Sequence, residues 1–402
     1  MAVSEETMKP PAPPGIKTWI RENLFNNWFN SLLTVISGIV IFWMLNAVIQ
    51  WVLFYADWRP IEQYPMLFMV GQYDRDQLWR IGLSLSVVAF LMGVSWGVWG
   101  ALIRSFAITI ASLLGIIAFL PFPLTDLTPT IRIILVAIVI LVFVGFVIGR
   151  SKYIKGIYVG IAWFVASILI VFLFLLGFDK STLFPTVPTS VWGGLLVTIL
   201  LSIGGIVLSF PIGILLAFGR RSSLPVVKGF SITFIEIIRG VPLITILFMF
   251  SLILQVFLPV GSRFDRLLRA LIGITIFSAA YMAENIRGGL QGVPEGQSEA
   301  SKALGMSGLQ INLFIILPQA LRMVIPAIVG QLISLFKDTT LVIILGINEL
   351  LGIGRSVINT DPEFVQLQLE VYAFIAILFW IISYAMSYSS RQLESALGVG
   401  ER

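Results

Sequence analysis

The chemistry open to this chain rests on a few ionisable residues set inside long apolar stretches. Lys337, Asp338, Thr339 and Thr340 run consecutively through one of them. Four adjacent polar residues point all around a helix, so no single apolar face hides them, and they must meet neighbouring spans or a water-filled cavity. Asp338 and Lys337 supply the charges opposite to the ammonium and carboxylate of a zwitterion, and Thr hydroxyls bond either group. Gln331 and Ser334, on earlier turns, extend the polar lining. Both a translocation path and plain interhelical packing satisfy this pattern. Glu236 and Arg239 stand i,i+3, just ahead of Gly240 and Pro242. Each charge costs about 2.5–3.5 kcal/mol to insert, so the two are expected to pair. Mutual neutralisation suffices to explain them; the alternative is a gate or path lining where Pro242 bends the helix. Glu284 and Arg287 repeat the spacing near the end of another span, where they are expected to position the loop that follows rather than touch substrate.

The chain has 402 residues with no Cys and no His. That removes Ser-His-Asp and Cys-His nucleophilic sites, zinc sites built on Cys or His, haem with a His or Cys ligand, iron–sulfur clusters and disulfides. No Lys follows a Gly, so there is no Walker A loop with which to bind ATP. Carboxylate chemistry in a membrane-embedded enzyme is the one enzymatic alternative left.

The elements that carry these residues are membrane spans. Hydrophobic residues make up 58% of the chain and charged residues 12%, against about a quarter charged in an average soluble protein. Mean hydropathy is +0.98. The net charge of +5 fits membrane topology better than nucleic-acid binding. The fold class is all-α: a polytopic bundle of about ten spans, near 31–55, 79–103, 105–121, 131–149, 156–177, 190–218, 230–257, 268–290, 322–347 and 371–390. Only Arg104 and Ser105 separate the second from the third. Ahead of the spans, residues 1–30 read as a cytoplasmic tail. Its Pro-rich Met8–Gly15 stretch is predicted to be disordered and is no cleavable signal peptide. Ile16, Trp19, Ile20, Leu24 and Trp28 then recur at helical spacing, as an interfacial helix or a frayed lead-in. Basic clusters Arg150/Lys152/Lys155 and Arg220/Arg221/Lys228 place both termini in the cytoplasm, with Lys9 and Arg402 also inside. Arg59, Arg75, Arg80, Lys180 and Arg263 then fall outside. Phe178–Pro188 divides a region 31–185, with few polar residues in its spans, from a region 186–395 with intramembrane charge and buried Pro; a short tail, 396–402, follows.

Between two spans of the second region lies the polar stretch Arg287–Pro318. Pro294-Glu295 suits a first helical turn. Ala300, Ala303 and Leu304 share a face, and Gly305 is placed to end a helix in the left-handed conformation. Ser307 with Gln310 reads as a capping box opening a second short helix. The stretch predicts two short helices joined at Gly305, an architecture suited to docking.

Here the chain resembles the membrane subunits of binding-protein-dependent ABC importers, whose cytoplasmic loop follows E-A-A-x3-G-x9-I-x-L-P. Glu299, Ala300, Gly305, Ile315, Leu317 and Pro318 match at that spacing, with Ser301 in place of the third Ala. Arg239-Gly240-Val241-Pro242-Leu243, Tyr281-Met282-Ala283-Glu284 with Arg287-Gly288-Gly289, and Lys337-Asp338-Thr339-Thr340-Leu341 resemble motifs of the polar amino-acid subgroup. The longer N-terminal part resembles the long permeases for general L-amino acids or neutral amino acids. The resemblance implies a five-span type I importer core over 186–395, with a coupling helix in the loop 291–316. Glu299 would make a charge contact to an ATPase subunit. Ala300, Ala303, Leu304 and Met306 would fill its groove, Ser301 would keep the packing of a small residue, and Gly305 would let the helices meet. It implies a bacterial inner membrane location and amino acid delivered by a periplasmic binding protein. It further implies a second homologous permease and two ATPase subunits holding ATP and magnesium, with no cofactor in this chain and no nucleic acid. This chain would then be a transport subunit and not an enzyme. The alternative of another class is a secondary amino-acid transporter driven by an ion gradient, with Asp338 or Glu236 as its coupling carboxylate. The lack of an internal repeat weakens that alternative.

Overall fold

Residues 15–119, 129–179, 181–257, 259, 264–396 and 398 are described by a computed structural model. The expected disorder before Gly15, most of the tail 396–402, and Lys9, Lys180, Arg263 and Arg402 lie outside them. Two units form, Met1–Asp57 and Trp58–Arg402.

The first unit holds α1 (Ile16–Asn23) and α2 (Trp28–Gln50), the latter extended by a π turn to Tyr55. The expected run of helical spacing from Ile16 to Trp28 is broken, because Asn27 caps α2 by accepting from the Asn30 backbone at 2.8 Å. Within its unit α2 buries none of its side chains. A helix apolar on every face and unburied by protein is suited to lipid.

In the second unit, α3 (Arg59–Gln63) and α4 (Pro65–Val70) precede the spans α5 (Leu78–Trp99), α6 (Ala101–Phe119), α7 (Pro129–Gly149) and α8 (Gly156–Ile168), with α8 continued by a π stretch to Leu176. Then come α9 (Gly194–Arg220), α10 (Pro225–Gly240), α11 (Leu243–Phe248), α12 (Leu254–Phe257) and α13 (Arg266–Gly292). The rest are α14 (Glu295–Ala303), α15 (Gly308–Gln310), α16 (Leu317–Asp338), α17 (Leu350–Ile358) and α18 (Gln368–Ala396). Among the described residues every named element is helical, which bears out the all-α expectation.

Among those residues eight helices are long and apolar enough to cross a membrane, and a bent pair makes up to nine. The expected 105–121 span is α6, whose apolar stretch Ile103–Ile116 is shorter. Its separation from α5 falls at Gly100 (φ +61°), ahead of Arg104. The expected 230–257 span is broken: Pro225–Gly240 and Leu243–Ser251 meet at 107°. Pro242 donates no backbone N–H, so the helix cannot run on through it. The last two spans are longer than expected, Gly308–Leu345 and Pro362–Ser395.

The loops gather at two ends. At one end Gly193 donates to the Val70 carbonyl at 3.2 Å, Gly194 to Asn348 at 2.9 Å, and the Tyr73 hydroxyl to Leu175 at 2.9 Å. Trp192, Val187, Val342 and Ile347 share one core there with Val70 and Tyr73. At the other end Arg221 donates to the Leu290 carbonyl at 3.1 Å. Segments expected outside thus meet one another, and so do segments expected inside, as alternating spans require. Arg80 is fully buried beside the first end. Its guanidinium donates to the carbonyls of Phe174, of Leu173 (3.3 Å), Leu175 (3.4 Å) and Pro185 (2.7 Å), and lies over the Phe184 ring. It therefore caps the orphan carbonyls that end the π stretch of α8.

Glu349 also sits at that end, fully buried, capping α17 by accepting from the backbone of Leu351 and Gly352, each at 2.9 Å. Burial pushes its carboxyl up to about 7 from 4.5, against those two hydrogen bonds and the charge of Arg355. A carboxyl with a raised folded pKa stabilises fully below its unfolded pKa and loses that contribution as pH rises through the folded value. Unfolding curves are therefore expected to show a loss on the order of 3 kcal/mol as pH goes from about 4.5 to 7. Glu349→Gln should remove that part of the pH dependence; unaltered pH dependence in the variant would contradict it.

Candidate functional site

The Arg287–Pro318 loop folds largely as its local signals direct. Pro294 is the N-cap of α14, and Leu304 its C-cap. Gly305 follows at φ +75° with open space where a side chain would stand. Ser307 and Gln310 form the capping box. The second short helix is not separate: α15 runs through a π turn (Ile311–Ile316) into α16, giving one helix from Gly308 to Leu345. Pro318 stands on the first turn after that π stretch, where its missing N–H interrupts the ladder without ending the helix.

Anchoring and presentation divide cleanly within this loop. Val293 and Ile311 are buried against the ends of α13 and α16, and Met306 packs partly on the same core. Ser301 is buried, and its hydroxyl donates to Gln297. Glu299, Ala300, Ala303 and Leu304 are exposed. Leu304 is 82% exposed, an isobutyl group standing clear on a polar loop. Of the expected groove-filling set the structure brings Ala300, Ala303 and Leu304 to one face and turns Met306 inward.

Behind the loop lies a five-charge cluster from three helices. Glu284 on α13 is its hub. It accepts from Arg287 Nε at 3.0 Å on both oxygens, pairs with Arg220 at 3.5 Å and with Arg239 at 3.8 Å. Glu236 pairs with Arg220 at 2.8 Å. The expected Glu236–Arg239 pair is not formed: Arg239 turns to Glu284 and lies over the Tyr281 ring at 5.5 Å. The expected Glu284–Arg287 pair is present. Arg220 looked in sequence like a loop charge, and nothing local marks it as a bridge between α9, α10 and α13. The cluster stands beside the α10–α11 break at Gly240–Pro242, and Arg287 sits on the last turns of α13 that lead into the loop.

The other polar set lies toward the far end of the Gly308–Leu345 helix. The α-helix ends at Asp338 and tightens into a 3₁₀ stretch from Thr339 to Leu345. Lys337 is exposed, Asp338 half-buried, and Thr339 fully buried. Thr339 donates to Phe336 at 2.7 Å and Thr340 to Lys337 at 2.9 Å, so both hydroxyl protons are spent on their own helix. The lone pairs of Thr340, which is partly exposed, remain open to a donor such as an ammonium, while Thr339 is sealed from solvent. Gln331 is engaged structurally: it donates to the Ser278 carbonyl at 2.8 Å and accepts from Asn285 at 2.8 Å. Ser334 is exposed. Glu236, for which a path lining was the alternative to pairing, stands in the charge cluster.

Comparison with known proteins identifies the family of the chain. Residues 209–399 match the family described as binding-protein-dependent transport system inner membrane component. The chain is 35% identical to the inner membrane amino-acid ABC transporter permease protein YhdY of Escherichia coli, over 95% of this chain and 93% of that one. It is 34% identical to the glutamate/glutamine/aspartate/asparagine transport system permease protein BztC of Rhodobacter capsulatus, over 98% of each. A solved amino acid ABC transporter with histidines is 27% identical over 50% of this chain and 92% of that chain, with a TM-score of 0.46. With near-complete coverage of permeases at this identity, the chain belongs to the family of permease subunits of amino-acid ABC transporters, the inner membrane components of binding-protein-dependent transport systems.

Proposed function

We propose that this permease admits an amino acid handed to it by a periplasmic binding protein, with both of its termini in the cytoplasm. A second homologous permease completes the pathway, and two ATPase subunits beneath hold the ATP and magnesium. The observation that carries this reading is the division of the 293–311 loop into a buried anchor and an exposed face, Glu299, Ala300, Ala303 and Leu304. An ATPase groove closing on that face pulls on the ends of α13 and α16. Through Glu284 the pull reaches Arg220 and Arg239, hence α9 and the broken α10–α11 pair. On the path, Asp338 faces the substrate ammonium with the Thr340 lone pairs, and Lys337 faces the carboxylate. Ser334, exposed one turn before Asp338, continues the lining, with Gln331 behind it held by Ser278 and Asn285. The names of the relatives support amino acids as the cargo class, and the chain itself carries the coupling rather than the hydrolysis.

Leu304→Asp tests the docking face. The side chain packs on nothing within the chain, so thermal stability should hold. Co-purification of the ATPase subunit and ATP-dependent uptake in vesicles should both fall at least tenfold. Gly305→Trp should do the same at a further cost of about 1–2 kcal/mol for the left-handed backbone. ATPase binding and uptake equal to the parent in both variants would refute the assignment.

A further inference from the structure

The permease core, 186–395, carries the coupling loop and the polar path, and the spans before it take part in neither. Their first outward segment, α3 and α4 with the turn to Gln77, is not peripheral. It is stitched by backbone into the outer end of the core. Gly71 and Trp192 form an antiparallel bridge, and Gly194 and Glu349 a parallel one. Ile61 and Phe68 are buried with Leu350, Ile353 and Phe364 in one cluster. Above the cluster Tyr64 meets Phe364 edge-on at 6.3 Å, and Arg59 pairs with Glu363 at 3.2 Å. The two segments therefore present one continuous outer floor, half from the extension and half from the core.

The chemistry of that floor separates it from the lipid-facing surface. The apolar face of α2 ends at Tyr55. From Arg59 to Gln77 the exposed residues are polar, and charges of both signs run across the floor: Glu62, Arg75 and Asp76 on the extension, Arg355 and Glu363 on the core. Interspersed charge around a few exposed apolar side chains, Val365 and Leu369 on the core half, fits the make-up of a protein interface. A floor fixed by main-chain bonds and close backbone packing is also preformed, which lowers the ordering cost of docking. It is continuous with the path. Glu349 caps α17, and α17 follows directly on the Thr339–Leu345 turn that carries the Thr residues beyond Asp338.

We infer that the Arg59–Gln77 segment forms half of the landing surface for the binding protein, so that the N-terminal extension serves substrate delivery. The inference rests on the permease reading and its orientation. Glu62 and Asp76 suit the test, being exposed and outside the ion pairs described. Glu62→Arg/Asp76→Arg is made in the full complex, reconstituted in lipid nanodiscs with the co-encoded binding protein loaded with amino acid. The binding-protein concentration that half-maximally stimulates ATPase should rise at least tenfold, with basal ATPase unchanged. Arg355→Glu, on the core half, should raise it too. A rise with Arg355→Glu and none with the double variant would overturn the inference and leave the permease reading intact. Absence of stimulation in the parent complex would overturn both.

Discussion

Glu284→Gln is expected to lower ATP-driven uptake on the order of thirtyfold while the protein still inserts and still binds its ATPase. The carboxylate is the shared acceptor of Arg287, Arg220 and Arg239, with 23% of its side chain exposed. Gln keeps the volume and one acceptor oxygen but no charge. Three guanidinium groups from α9, α10 and α13 then face one another with Glu236 as their remaining carboxylate. Removing one member of a buried ion-pair network costs about 3–5 kcal/mol; with this degree of solvent screening about 2 kcal/mol is the reasonable figure. That corresponds to the thirtyfold. Because α14 hangs from the end of α13, ATPase binding needs the loop but not the cluster. The decisive measurement is uptake set beside ATPase activity in the same vesicles. Hydrolysis that continues while uptake fails marks a broken relay; equal loss of both, or neither, would show that Glu284 only holds the helices together.

Gly194→Val is expected to prevent accumulation of folded permease, and Gly100→Val to lower stability while folded permease still accumulates. The two glycines share a positive φ, +59° and +61°. A β-branched side chain is strained at such a φ, by about 1–3 kcal/mol at either position. They differ in surroundings. A Cβ at Gly194 would stand 2.2 Å from the Phe68 carbonyl oxygen and 2.9 Å from that of Leu67, whereas one at Gly100 meets nothing within 4 Å. Backbone cannot rotate away as a side chain can. The clash therefore forces α4 off the start of α9, and with it the 2.9 Å bond from Gly194 to Asn348. A loss beyond about 4 kcal/mol is enough to unfold a marginal protein. Monodispersity and thermal unfolding in detergent, compared between the two variants, check the contrast.

What the amino-acid order revealed, and what it concealed, follows from the range of the forces involved. Gly305, the Ser307–Gln310 capping box and the bend at Pro242 were legible because their causes lie within four residues. The spans were legible because a bilayer imposes length and apolarity. The continuity of the long helix that starts at Gly308 was not: Pro318 and a polar run look like a boundary, and a π turn carries the helix across it. Arg220 and Glu349 were missed for a different reason. Each looks like an ordinary flanking charge, and its meaning comes from Glu284 or Gly194, far away in the chain. Even Glu236 and Arg239, correctly spaced to pair, found stronger partners on other helices.

Arg80 bears on how the protein is made. Its carbonyl partners lie in Leu173–Leu175 and Pro185, and they do not exist when α5 first leaves the ribosome. A lone guanidinium near the end of a nascent span is costly to bury in lipid. It is relieved when the close of α8 arrives to accept its protons. The helices from α5 to α8 are thereby bound to settle as a group, with the arginine in water until the last of them is synthesised. α9, which starts at Gly194, is then added to helices already in place.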